Sequence, residues 1–147
     1  MKITDITATP LATGKSLVRV QTDAGVEGWA EGPGINKVVP GRNGSVFNAY
    51  LETIIKPVLI GENPLDIDRH WETLATGKDD RLYKLPASVV GIIDVALWDL
   101  LGKETGKPVY TLMGGAARTT IPLYWSVGSG WRMQPEEMVD LVKNGWD

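Results

Sequence analysis

Asp94 and Asp99 stand five residues apart in the run GIIDVALWDLLGKETGKPVYTLMGG, residues 91 to 115. Two carboxylates in one segment could share a metal ion or divide the work of an acid and a base. On a helix, however, five residues place them roughly 140° apart, so they do not converge on one ion unaided. Asp99 is expected to pair with Lys103 one turn on, while Asp94, set among Ile92, Ile93 and Val95, must find a buried partner. His70 is the only histidine, and no serine or aspartate pattern surrounds it. A satisfied structural role is expected there rather than a catalytic one. TGKS at 13 to 16 has the tail of a phosphate-binding loop, but the pattern requires glycine where Thr9 stands and a helix where a strand follows. NGS at 43 to 45 reads as a helix start. With no cysteine, thiolate metal sites and cysteine nucleophiles are excluded, and any metal must be held by oxygen or by one histidine.

The chain of 147 residues is 43% hydrophobic and 22% charged, a globular composition. Its formal charge is −3 with 15 scattered basic residues, which leaves no positive patch for a phosphate backbone and makes nucleic acid an unlikely partner on charge grounds. No apolar run reaches the roughly 18 residues that a membrane span needs. The opening MKITDITATP has no signal-peptide core, so a cytoplasmic location is expected.

The elements that must position these groups follow from periodicity. KITDITATPL, SLVRVQT and VEGWAEG alternate as strands, with turn residues Asp23, Ala24 and Gly25 between the second and third. An antiparallel three-stranded meander results. Val46, Phe47, Tyr50, Leu51, Ile54, Ile55, Val58 and Leu59 recur at helical spacing, with a break expected near Pro57. Asn63 followed by Pro64 reads as the start of another helix. A long helix follows Pro86 and ends at Gly106, before Pro108. It is apolar on nearly every side and must lie between two layers. IPLYWSVGSG then reads as a strand and QPEEMVDLVKNG as a helix. This lone βα unit has no parallel neighbours, and the 27 residues after Thr120 fall far short of the roughly 250 of a βα barrel. The chain reads as cut short.

Taken together, VQTDAGVEGWAEG, DIDRHWETL, GIIDVALWDLLGKETGKPVYTLMGG and IPLYWSVGS are similar to the mandelate racemase and muconate-lactonizing part of the enolase superfamily. The resemblance runs in order over nearly the whole chain, and the stretch from Ala96 to Val109 is its most specific piece. It implies an α+β amino-terminal capping domain over residues 1–120 and the first strand and helix of an incomplete βα barrel over 121–147. Enzymes of this family bind a substrate carboxylate on Mg²⁺, abstract the α-proton with a barrel base and stabilise the enediolate. The bases and metal-binding carboxylates lie on later barrel strands, so the resemblance implies no catalytic residue and no metal ligand within 1–147. Mg²⁺ belongs to the full-length parent, and none is expected for this chain.

DIDRHWETL and GWAEG look most like sugar-acid dehydratases, so dehydration of an aldonic-type acid is favoured over racemisation or cycloisomerisation. The resemblance also implies a homo-oligomer for the full-length enzyme. Cap selectivity in the family comes from two loops, here PLATGKS and GPGINKVVPGRNG, together with the end of the first barrel strand. Lys15, Asn36, Lys37, Arg42, Trp125 and Ser126 are the candidate contacts to a polyhydroxy acid, against a role as ordinary solvated loop residues. A non-catalytic, freestanding cap-like binding module is the competing reading. If barrel helices were meant to cover the long helix, some of Val90, Ile93, Leu97 and Leu101 should be exposed on one flank.

Overall fold

Alternation along the first thirty residues sets the sheet. A computed structural model describes residues 1–12, 15–32, 46–77, 85–124 and 134–144. Strands β1 (Ile3–Pro10), β2 (Ser16–Thr22) and β3 (Glu27–Gly32) form an antiparallel sheet in the order β1-β2-β3. Ser16, Val18, Val20 and Thr22 point to the buried face of β2, and Gly28, Ala30 and Gly32 to that of β3. On the opposite face, Arg19 Nε donates to Glu27 Oε2 at 2.9 Å, and its guanidinium lies 5.3 Å from the centre of the Trp29 ring.

Helices cover the buried face. The segment from α1 (Val46–Tyr50) through Leu51–Ile55 to α2 (Lys56–Leu59) is continuous, with π-helical turns in its middle. The expected break at Pro57 does not occur. Phe47, Leu51, Ile55 and Leu59 are buried at a spacing of four. Four residues overshoot an α turn of 3.6 and fall short of a wider π turn, so mixing the two keeps this row on one side. The same widening makes room for Pro57, which cannot donate an N–H to the turn before it.

The helix start read at Asn63 also shifts. Asn63 Oδ1 accepts from Leu65 N at 3.2 Å, a turn made by the side chain, and α3 (Ile67–Glu72) begins after Asp66 before passing into π-helical turns over Thr73–Gly77. Helix α4 (Ala87–Thr105) starts and stops where the sequence indicates: Pro86 is extended at its N-cap, and Gly106 takes φ 64° at its C-cap. The Gly106 N–H closes the last turn on the Gly102 and Lys103 carbonyls. A short α5 (Val109–Leu112) follows.

Helix α4 packs closest to β3, where small residues admit it. A Cβ at Gly28 would lie 1.9 Å from the Ala96 carbonyl oxygen, and one at Gly32 would lie 2.7 Å from Ile92 Cδ1. The core contains Ile3, Ile6, Val18 and Val20 of the sheet with Val89, Ile93, Leu97 and Leu100 of α4, all essentially without solvent exposure. Both sheet edges are engaged. Trp29 N donates to Asp99 Oδ2 at 2.8 Å and Lys103 Nζ donates to the Glu27 carbonyl at 3.0 Å along β3. On β1, Ile3 exchanges bonds of 2.9 Å with Glu62 and Gly61. Satisfying edge groups in this way blocks pairing with a foreign strand.

The flank expected to be bare is therefore not Val90, Ile93 and Leu97, which are 3%, 0% and 1% exposed. They face inward, onto the sheet and the other helices. The outward stripe of α4 is Gly91, Asp94, Val95, Trp98 and Leu101, with Val95 at 55% exposure.

Contacts divide the chain into two units, Met1–Gly115 and Ala116–Asp147. In the second, residues 121–124 carry no strand, 125–130 lie outside the described residues, and α6 (Pro135–Asn144) forms as expected. A strand needs a neighbour to bond with, and 121–124 have none among the described residues.

Candidate functional site

Register brings the ends of β1 and β3 to one end of the sheet. Pro10 pairs with Ser16, and Ser16 with Gly32, so the chain leaving β1, entering β2 and leaving β3 does so at one end of the sheet. The segments that follow β1 and β3 thus begin at adjacent positions. Lys15 sits at this end. Its carbonyl accepts from Leu11 N at 2.8 Å, and its ammonium pairs with Glu31 on β3, both side chains being about half exposed. Asn36, Lys37, Arg42, Trp125 and Ser126 lie outside the described residues. Of the six candidates, only Lys15 lies among the described residues. Gly32, against Ile92, rests this end of the sheet on the beginning of α4. No sequence signal had tied the strand end to that helix, although the small residues Gly28, Ala30 and Gly32 on one face of β3 announce a close approach.

Two of the groups first considered for catalysis, Asp99 and His70, are employed in holding the fold. Asp99 Oδ2 accepts from Lys103 Nζ at 2.6 Å as well as from Trp29 N, which makes it a clamp between helix and sheet edge. His70 is 3% exposed, and its Nε2 lies 2.7 Å from the Asn63 carbonyl oxygen, so Nε2 carries the proton it donates there. This is the satisfied structural role expected of it.

Asp94 departs from expectation. It is half-buried and has no hydrogen-bond or cationic partner among the described residues; the charge of Asp68 on α3 bears on it instead. Loss of water around it, and secondarily the Asp68 charge, hold its carboxyl above the usual aspartate range. Because the folded chain then holds that proton more tightly than the unfolded chain, stability is greatest below the ordinary aspartate pKa. It falls as pH rises through the raised folded value. In dilute solution at pH 7, Asp94→Asn is expected to be more stable than the parent by up to about 1 kcal/mol, the scale of a partly exposed charge interaction. Urea denaturation at pH 7 and again near about pH 3, where both side chains are neutral, checks this. A difference that persists at the lower pH would assign the effect to something other than charge.

Among the described residues, no group of three or more histidine, aspartate and glutamate side chains could hold a metal ion, and no helix is long and apolar enough to cross a membrane.

Comparison with known proteins places this geometry. The model of the mandelate racemase / muconate lactonizing enzyme N-terminal domain matches residues 6–114. A D-galactonate dehydratase of Pectobacterium atrosepticum is 36% identical over 143 residues, covering 97% of this chain and 35% of that protein. An enolase-superfamily member from Polaromonas sp. superposes with a TM-score of 0.71 at 29% identity, over 99% of this chain and 41% of the other. An enolase from Pantoea ananatis, solved with bound D-gluconate and Mg, superposes with a TM-score of 0.62 at 26% identity, over 80% of this chain and 28% of the other. The chain spans about a third of the length of the relatives it matches, between 28% and 36%. With its three-stranded meander, the covering helices and a match over residues 6–114, the chain belongs to the mandelate racemase / muconate lactonizing enzyme family of the enolase superfamily and carries its N-terminal capping domain.

Proposed function

We propose that the chain is the amino-terminal portion of a cytoplasmic sugar-acid dehydratase, with residues 1–120 as the cap and 121–147 opening the barrel. The observation that carries this reading is the shared sheet end, where the segments after β1 and β3 begin side by side with Lys15 between them. Two segments that start from adjacent strand ends can together supply the several donors that the hydroxyls and carboxylate of a polyhydroxy acid need. Lys15, Asn36, Lys37, Arg42, Trp125 and Ser126 are its proposed contacts. The similarity to a D-galactonate dehydratase over almost the whole chain supports the same substrate class.

In the reaction, the α-carbon loses a proton and the β-carbon loses hydroxide as water, leaving an enol that tautomerises to a 2-keto-3-deoxy acid. The described residues do not fit Mg²⁺, since they contain no cluster able to hold it. The proton-abstracting and metal-binding groups are assigned to the part of the relatives that has no counterpart here. What this chain supplies is recognition and exclusion of water from the far side of the substrate.

The test compares the chain alone with the chain joined to the part of the Pectobacterium enzyme that lacks a counterpart in it. Each is given D-galactonate or D-gluconate with Mg²⁺ in deuterium oxide. The joined protein is expected to form the 2-keto-3-deoxy acid, and the chain alone to show neither product nor deuterium uptake. Chelator-sensitive deuterium uptake by the chain alone would place catalytic groups within it. A folded joined protein that exchanges the α-proton without losing water would make it a racemase or cycloisomerase cap instead.

A further inference from the structure

Lys15 and Glu31 pair at the sheet end from which the segments after β1 and β3 depart. Thr9, Leu17 and Glu31 stand opposite one another there, on the face of the sheet turned away from α4. The Lys15 side chain is 52% exposed and that of Glu31 50%, so a ligand can reach both. Arg19, one cross-strand pair further along the same face, is taken up by Glu27 and the Trp29 ring. Among the described residues, Lys15 is therefore the cation that Glu31 pairs with. An ion-paired lysine brings no net charge, and an anion placed against the pair meets the Glu31 carboxylate as well as the ammonium. A hydroxyl does better there. It donates to the carboxylate and accepts from the ammonium, so the pair satisfies both of its roles at once.

We propose that Glu31 is a specificity-determining residue, which with Lys15 reads the terminal hydroxyl of a sugar acid and turns away the diacid that carries a second carboxylate at that end. The inference rests on the dehydratase reading, in which the reacting end of the acid belongs to the part of the relatives without a counterpart here and the polyol end meets the cap. Lys15 by itself would select the opposite way. A free ammonium attracts carboxylate and favours the diacid, whereas the Glu31 carboxylate cancels that attraction and adds a repulsion. Specificity is a difference between two affinities, and a like charge set against the competitor supplies it without tighter binding of the preferred acid. Unit charges about 4 Å apart, even in water, change an affinity about fivefold, and more where water is partly excluded.

Two acids test this in the joined protein: D-galactonate and galactarate, which differ only in a terminal CH2OH against a carboxylate. For each, kcat/KM is measured alongside Kd by calorimetry. The parent is expected to prefer D-galactonate. Glu31→Gln, which frees the Lys15 charge, is expected to shift the ratio of the two acids at least about fivefold toward galactarate, through KM and Kd rather than kcat. Lys15→Met, which leaves the Glu31 carboxylate unpaired, is expected to shift it by a similar factor the other way, and Glu31→Asp to keep the parent's preference. A purely structural pair would affect both acids alike, so opposite shifts separate recognition from folding. If the joined protein binds the acids and turns over neither, the dehydratase reading fails, while the Kd ratios still decide the role of Glu31. A ratio unchanged by Glu31→Gln, or no binding of either acid to the folded joined protein, overturns the proposal.

Discussion

Gly28→Ala is expected to lower the stability of the capping domain by at least about 3 kcal/mol, at or beyond the upper end of ordinary overpacking. The added methyl would lie 1.9 Å from the Ala96 carbonyl oxygen and 2.9 Å from Leu100 Cβ. The first obstacle is backbone in the middle of a 19-residue helix, so no side-chain rotation relieves it. Helix α4 must move off the sheet by more than an ångström. Such a shift disturbs the Asp99 bond to Trp29 N and the Lys103 bond to the Glu27 carbonyl, because both depend on the same spacing. Domains of this size are stable by only about 5–15 kcal/mol, so a substantial fraction is lost. Gly91→Ala provides the opposite sign. A Cβ there meets nothing within 4 Å, and the position is interior to α4, so alanine is expected to stabilise by about 0.5–1 kcal/mol. Urea midpoints of the two variants check both values. A Gly28→Ala midpoint equal to the parent would mean that helix and sheet are not in contact at this point.

Ile93→Glu is expected to cost several kcal/mol, enough to leave much of the chain unfolded at 37 °C. Ile93 is fully buried, packed in the core with Val18, Val20 and Leu97, and among the described residues no buried cation is placed to receive a carboxylate. Leu97→Lys, at 1% exposure, should behave in the same way. Val95→Glu, only two residues from Ile93 but 55% exposed, is expected to change the stability of the monomer by less than about 1 kcal/mol. The contrast assigns the faces of α4. Chemical denaturation at low protein concentration measures it, and a near-parent stability for Ile93→Glu would place that face outward, against the packing described above.

Much of this architecture was legible from the residues. Alternation marked three strands, and the turn at Asp23 to Gly25 fixed them as a meander, because short-range pleat and turn chemistry leave few other solutions. Pro86 and Gly106 bounded α4 almost to the residue, since a proline restricts the residue before it and a left-handed glycine cap closes the last turn. The pairing of Asp99 with Lys103 was equally local, an i to i+4 contact that any helix would bring together.

What failed was whatever depended on partners distant in sequence. Helix α4 is apolar on nearly every side, so periodicity had no means of choosing which side faces the sheet. The choice was made by Gly28, some seventy residues earlier, where absence of a side chain lets Ala96 approach. Asp94 was expected to find a buried partner and instead has none among the described residues and feels the charge of Asp68, because α3 packs on α4. Pro57 was read as a break because single-residue rules assume an α turn, whereas burial of a row spaced by four favours the wider π turns. Likewise the candidate site: the sequence named Lys15 and the segments after β1 and β3, but only strand register put their starting points together. Composition and local spacing determine which elements form and where they end; contacts across the chain decide which faces meet, because the free energy of close packing depends on shapes that no single segment contains.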